Sequence, residues 1–123
     1  KIAFQAELMP AVRESLDGIK ANGVSYYLIS RRKKPELAVE LMKRLGLWPE
    51  FFNERNAFFV LEPAEKNTKA KELGVTHYVD DEVKVLKELT SVPHRALFDP
   101  FDVLEYPARV RSWAELLRFL NVP

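Results

Sequence analysis

The sequence predicts an α/β fold, a three-layer sandwich with a mainly parallel sheet of about five strands, and three observations carry it. Short apolar stretches rich in β-branched and aromatic residues alternate with amphipathic helical stretches. Helical stretches end at Gly23, Gly46 and Gly74, and each hands over to an apolar segment. The 123 residues contain no repeat and no linker long enough to divide them, so they are read as one domain, residues 1–123.

Element by element, Ile2 to Phe4 is a first short strand. Pro10 suits the first turn of a helix, where its missing N–H costs nothing. Met9, Val12, Leu16 and Ile19 fall on one face of that helix, and Asn22-Gly23 stops it. Val24 to Ser30 reads as a buried strand. Pro35 opens a second helix, with Leu37, Leu41 and Leu45 expected inward and Gly46 at its end. Ala57 to Leu61 is the next strand. Lys66 to Leu73 is a short helix, Thr76 to Val79 a strand and Glu82 to Leu89 a helix. Arg95 to Phe98 is a further strand. Ser112-Trp113-Ala114-Glu115 has the form of a capping box. It starts a last helix with Trp113, Leu116, Leu117 and Leu120 on one side.

Hydrophobic residues make up 47% and charged residues 30%, which excludes a disordered chain. The net charge of +1 gives no global pull toward nucleic acid or membrane. There are no cysteines, which removes disulfides, thiolate zinc sites and cysteine nucleophiles, and is compatible with a cytoplasmic location. No apolar run approaches membrane-spanning length. No G-x-G-x-x-G or G-x-x-x-x-G-K-[ST] occurs, so dinucleotide and P-loop readings have no support.

Ligands of open α/β sheets sit at the carboxyl ends of the strands. The residues to inspect are therefore Gln5, Ser30, Leu61 to Glu65, Asp80, Asp81 and Asp99. Among them, with a nearby lysine, a chemical constellation stands out. A Ser hydroxyl after a strand can hydrogen-bond a phosphate oxygen. The ammonium of Lys66 can neutralise a phosphoryl group or steady a carboxylate. The adjacent carboxylates of Asp80 and Asp81 repel one another, and hard oxygen ligands of this kind hold Mg²⁺. The bland alternative is that one acid caps the following helix and the other is solvated.

In that order these residues resemble the haloacid-dehalogenase (HAD) superfamily of phosphohydrolases. Tyr27-Leu28-Ile29-Ser30 looks like its second motif. Lys66 in Glu65-Lys66-Asn67-Thr68 looks like its third-motif lysine. His77-Tyr78-Val79-Asp80-Asp81 looks like its fourth motif, the metal-binding acids. The closing stretches Arg95 to Pro100 and Val110 to Trp113 resemble the last strand and helix of capless, nucleotidase-like members. The resemblance implies phosphate binding by Ser30 and Lys66, Mg²⁺ as cofactor on Asp80 and Asp81, and a small phosphorylated ligand. A phospho-receiver domain has similar groups, but its acid pair comes early and its lysine last.

One departure decides how far the resemblance goes. The family's first motif is Asp-x-Asp at the end of the first strand, giving the nucleophile and then the general acid/base. No Asp-x-Asp occurs anywhere in this chain. If Ile2 to Phe4 is the first strand, Gln5 and Glu7 stand at the motif's positions, and a Gln amide cannot act as a carboxylate nucleophile. Alternatively, the first strand lies upstream and Phe4 to Met9 is a lead-in to the first helix. Three readings stay open: a Mg²⁺-dependent phosphatase whose first motif lies upstream, a pseudoenzyme that keeps a metal or phosphate pocket, and an α/β domain whose surface mediates assembly.

Other features have plain defaults. Arg31-Arg32-Lys33-Lys34 reads as a solvated loop partly balanced by Glu36 and Glu40; its functional alternative is to draw a phosphorylated ligand toward Ser30. His77 reads as a partly buried structural residue, and His94 as a loop residue. Trp48, Phe51, Phe52, Phe58 and Phe59 read as core. Lys69 and Lys71 compete with Lys66 for the third-motif position, because a shift of the helix would exchange them.

Overall fold

The computed structural model describes residues 1–5, 12–99, 101 and 104–120. Six strands form one sheet in the order β3-β2-β1-β4-β5-β6, and every neighbouring pair is parallel. The strands are β1 (Ile2–Gln5), β2 (Tyr26–Ser30), β3 (Ala57–Phe59), β4 (His77–Asp80), β5 (His94–Phe98) and β6 (Arg109–Val110). The helices are α1 (Val12–Ala21), α2 (Pro35–Arg44), α3 (Pro63–Leu73), α4 (Val83–Glu88) and α5 (Trp113–Phe119). The expected α/β class is observed. Pairing with β5 extends the sheet by β6, whose two residues are too short for a periodic signal.

Parallel strands are buried on both faces, and successive side chains point to opposite sides. Ile2, Val79, Ala96 and Phe98 face one core, with Leu16 and Ile19 of α1, Met42 of α2, and Trp113 and Leu116 of α5. Ala3, Tyr78 and Leu97 face a second core, with Ala70 of α3 and Val85 and Leu86 of α4. The alternation Tyr78/Val79 and Ala96/Leu97/Phe98 fixes the register, because a slip of one residue would exchange the two cores. Phe51 and Phe52 are buried in the first core, and Trp48 and Phe59 pack against it. Phe58 packs against the second.

Four expectations are corrected. Helix α2 does not turn its leucines inward: Leu37, Leu41 and Leu45 are 61%, 37% and 46% exposed, while Ala38 and Met42 are buried. Leu37 and Ala38 lie about 100° apart on the helix, so the apolar arc is wide and its Ala/Met edge takes the sheet. His94 opens β5 rather than lying in a loop, and its ring stacks on His77 at 4.5 Å because the two residues are in register. Helix α3 begins at Pro63, three residues before the expected start, where the Glu65 carboxylate accepts the Glu62 N–H at 3.0 Å. At α5 only half of the capping box forms. Ser112 Oγ accepts the Glu115 N–H at 3.2 Å, but the Glu115 carboxylate accepts from Arg111 N instead of Ser112 N. Gly74 ends α3 at φ 71°, a left-handed conformation that glycine adopts without strain.

Tyr78 is fully buried, and its hydroxyl has no hydrogen-bond partner among the described residues. A buried hydroxyl left unpaired costs about 1–3 kcal/mol. Replacing Tyr78 by Phe removes the hydroxyl and keeps the ring, so Tyr78→Phe is expected to stabilise the fold by about 1 kcal/mol. A urea melt with an unchanged midpoint, or a lower one, would show that the hydroxyl is satisfied in solution.

Candidate functional site

The chain order reverses at the β1–β4 boundary: β1 is followed outward by β2 and β3 on one side, and by β4, β5 and β6 on the other. The crevice of an open parallel sheet forms at such a reversal, above the carboxyl ends of the strands. Ser30 ends β2, Gln5 ends β1 and Asp80 ends β4, so all three stand at one edge. Gln5 is in register with Asp80, and Phe4 is in register with both Leu28 and Val79. Ser30 and Asp81 therefore lie level on either side of β1. Two strand spacings separate them, about 10 Å.

Ile2–Gln5 thus occupies the middle of the sheet as a paired strand, which agrees with the first of the two readings of the N-terminal segment. Gln5 stands at the end of that strand. Glu7, the other first-motif position, lies outside the described residues.

Lys66 is the lysine of α3 that reaches this edge. It has no exposed surface, and its Nζ lies 2.6 Å from Asp80 Oδ2. Its two competitors point elsewhere. Lys69 pairs with Glu72 at 3.1 Å and lies 4.6 Å over the Phe58 ring, and Lys71 is exposed. The other oxygen of Asp80 accepts the Glu82 N–H at 3.0 Å, which tightens the turn into α4. Burial pushes the Asp80 carboxyl up from 3.8 to about 7; the Lys66 charge and hydrogen bond oppose this, and neighbouring Asp81 adds to it. Loss of hydration therefore outweighs the ammonium beside it.

Asp81 differs from its neighbour. Its Oδ1 is buried and has no hydrogen-bond partner among the described residues. Asp80, Asp81 and Glu82 each bring a carboxylate oxygen within 4.8 Å of the other two. Glu82 was not among the sequence candidates, although its place directly after the acid pair was a signal for it. Its carboxylate binds Arg31 at 3.2 Å and Lys84 at 3.4 Å. An orphan oxygen beside two further carboxylates could hold a hard divalent cation.

Ser30 is buried, and its Oγ accepts the Arg32 N–H at 3.3 Å. Its own proton finds no acceptor among the described residues. Asp99, at the end of β5, is buried and accepts the Leu104 N–H at 2.9 Å, with Arg109 at 3.7 Å, so it braces the loop before β6. His77 lies at the amino end of β4, on the far edge of the sheet from Asp80. Burial first, then the His94 charge, lower its pKa, consistent with a structural residue.

Among the described residues no helix is long and apolar enough to cross a membrane. No family model matches the chain, and a search of curated proteins finds no matching relative.

Proposed function

We propose that this chain is a HAD-like domain with a phosphate- and Mg²⁺-binding pocket at the carboxyl edge of its sheet, and that it lacks phosphatase activity. The buried, partnerless Oδ1 of Asp81 within the Asp80–Asp81–Glu82 cluster carries this reading. Asp81 offers the open oxygen, Glu82 adds a carboxylate that it shares with Arg31 and Lys84, and Asp80 stands behind them with its charge balanced by Lys66. Ser30 offers a hydroxyl proton to a phosphate oxygen across β1. A bound Mg²⁺ would supply positive charge to such a phosphate group. Gln5 holds the position of the nucleophile, and its amide does not attack phosphorus. With the first motif absent, the protein's chemistry is to bind, orient and release.

Titration of Mg²⁺ into the wild-type chain and Asp81→Asn tests the reading. Weak, saturable binding is expected in the wild type, because a site without a first-motif carboxylate is incomplete. About tenfold or greater weakening is expected in the variant, since one charged ligand is lost. Identical heats in both proteins would remove the metal site.

One observation favours a second reading. Asp80 is occupied by Lys66 and by the turn into α4, as a structural carboxylate would be. In that case the chain is an α/β domain for assembly, and neither protein binds Mg²⁺.

A further inference from the structure

The run Arg31–Lys34, by default a solvated loop, is not spread over a convex surface. It lines an open cleft of about 700 Å³ together with Lys84 from α4 and Glu82. The cleft starts at the residue after Ser30 and ends on the third carboxylate of the acidic cluster, so it is continuous with the carboxyl edge. Five cations face one carboxylate there. Glu82 is shared by Arg31 and Lys84, and Arg31 Nε also donates to the Leu61 carbonyl at 3.3 Å, which anchors the near wall. Lys33 and Lys34 are exposed and form no ion pair among the described residues. Helix α2 begins beside them with Lys34 as N-cap and no side-chain cap, so its first turn presents a positive end to the same space.

A single phosphate carries about two negative charges, fewer than five cations set against one carboxylate would balance. The surplus of positive charge from two separate elements calls for a ligand with more. We infer that this cleft takes a small molecule bearing several phosphate groups, with one at the carboxyl edge and the others along Arg31–Lys34. The volume is in the range of small-molecule sites, roughly 300–1,000 Å³. A nucleic acid fits less well: the cations are gathered in one cleft, and the chain's net charge is only +1. The exposed Leu37 on the cleft wall offers apolar contact to the organic part of such a molecule.

The inference rests on the phosphate reading of the carboxyl edge, but its test is separate. Tripolyphosphate and orthophosphate are titrated, without Mg²⁺, into the wild-type chain, Lys33→Gln/Lys34→Gln and Lys71→Glu. Lys71 lies on α3 outside the cleft and controls for net charge. Tripolyphosphate is expected to bind the wild type at least about tenfold more tightly than orthophosphate, and to lose about tenfold or more in the double variant. Lys71→Glu is expected to keep it. Circular dichroism verifies that the double variant is folded, and its Mg²⁺ titration is expected to match the wild type. Equal affinity for the two anions, or no loss in the double variant, would overturn the cleft assignment and leave the Mg²⁺ result of Asp81→Asn untouched. A single-stranded oligonucleotide binding more tightly than tripolyphosphate would also overturn it, in favour of nucleic acid.

Discussion

Replacing Lys66 by Met is expected to destabilise the fold by about 3–5 kcal/mol near pH 8, because it leaves Asp80 buried without its partner. Met keeps most of the apolar stem, so the loss reads the charge more than the packing. The sign of the pH dependence follows from the direction of the Asp80 shift. In the folded wild type its carboxyl is raised to about 7 against 3.8 for the free group, so the folded state holds the proton more tightly than the unfolded chain. That contribution to stability is complete below about pH 4 and is lost as the pH rises through about 7. Without Lys66 the two influences that lower the carboxyl disappear, and the window extends to higher pH. The defect of Lys66→Met is therefore expected to be largest near pH 8 and smaller near pH 5, where Asp80 is protonated in both proteins. Adding Asp80→Asn should recover much of the loss, since a neutral amide avoids the buried charge. Urea melts of the four proteins of this cycle at both pH values measure it. A single variant as stable as the wild type near pH 8 would mean that water reaches Asp80 in solution.

Catalysis has the larger expected effect on rate. With Mg²⁺ and an aryl phosphate, the wild-type chain is expected to show no turnover above background, on the order of 10⁶-fold or more below an active phosphatase. The reason lies at one position. Gln5 ends the central strand, in register with Asp80, where the resemblance requires a carboxylate. Gln5→Asp with Glu7→Asp is expected to restore slight turnover, or to allow a fluoroberyllate adduct to be trapped. Full recovery is not expected, because placement errors of roughly 1 Å can cost about a hundredfold. Robust turnover by the unmodified chain that vanished in Asp80→Asn would overturn the pseudoenzyme reading.

The sheet was legible because buried parallel strands are written as short apolar runs, and each such run from Ile2 to Phe98 forms a strand. The edge position of Ser30 and Asp80 followed from the same pattern. The inward face of α2 did not. Periodicity selects the leucines, but closeness to the sheet favours the smaller Ala38, and the two stripes are adjacent on the helix. The site was legible as residue types and order. Its pairings were not, because they depend on side-chain reach across elements: Lys66 spends its charge on Asp80, and Arg31 and Lys84 meet on Glu82. A run of four cations in sequence says nothing of the fifth that faces them from α4.

The placement of β1 has a consequence for how the chain assembles. The first strand in sequence is the middle strand in space, and it is tied across 75 positions where Thr76 Oγ1 donates to the Lys1 carbonyl. Ile2 meets Tyr26, closer in sequence than Leu28 is to Ala57, so β1–β2–β3 and β4–β5–β6 can each form from near segments, but each keeps an open inner edge until β1 meets β4. Such distant pairings form late, because chain closure must precede the contacts that reward it. Unpaired inner edges are sticky in the meantime. Removing the first five residues would therefore not trim this sheet but split it into two half-sheets, one carrying Ser30 and the other Asp80 and Asp81.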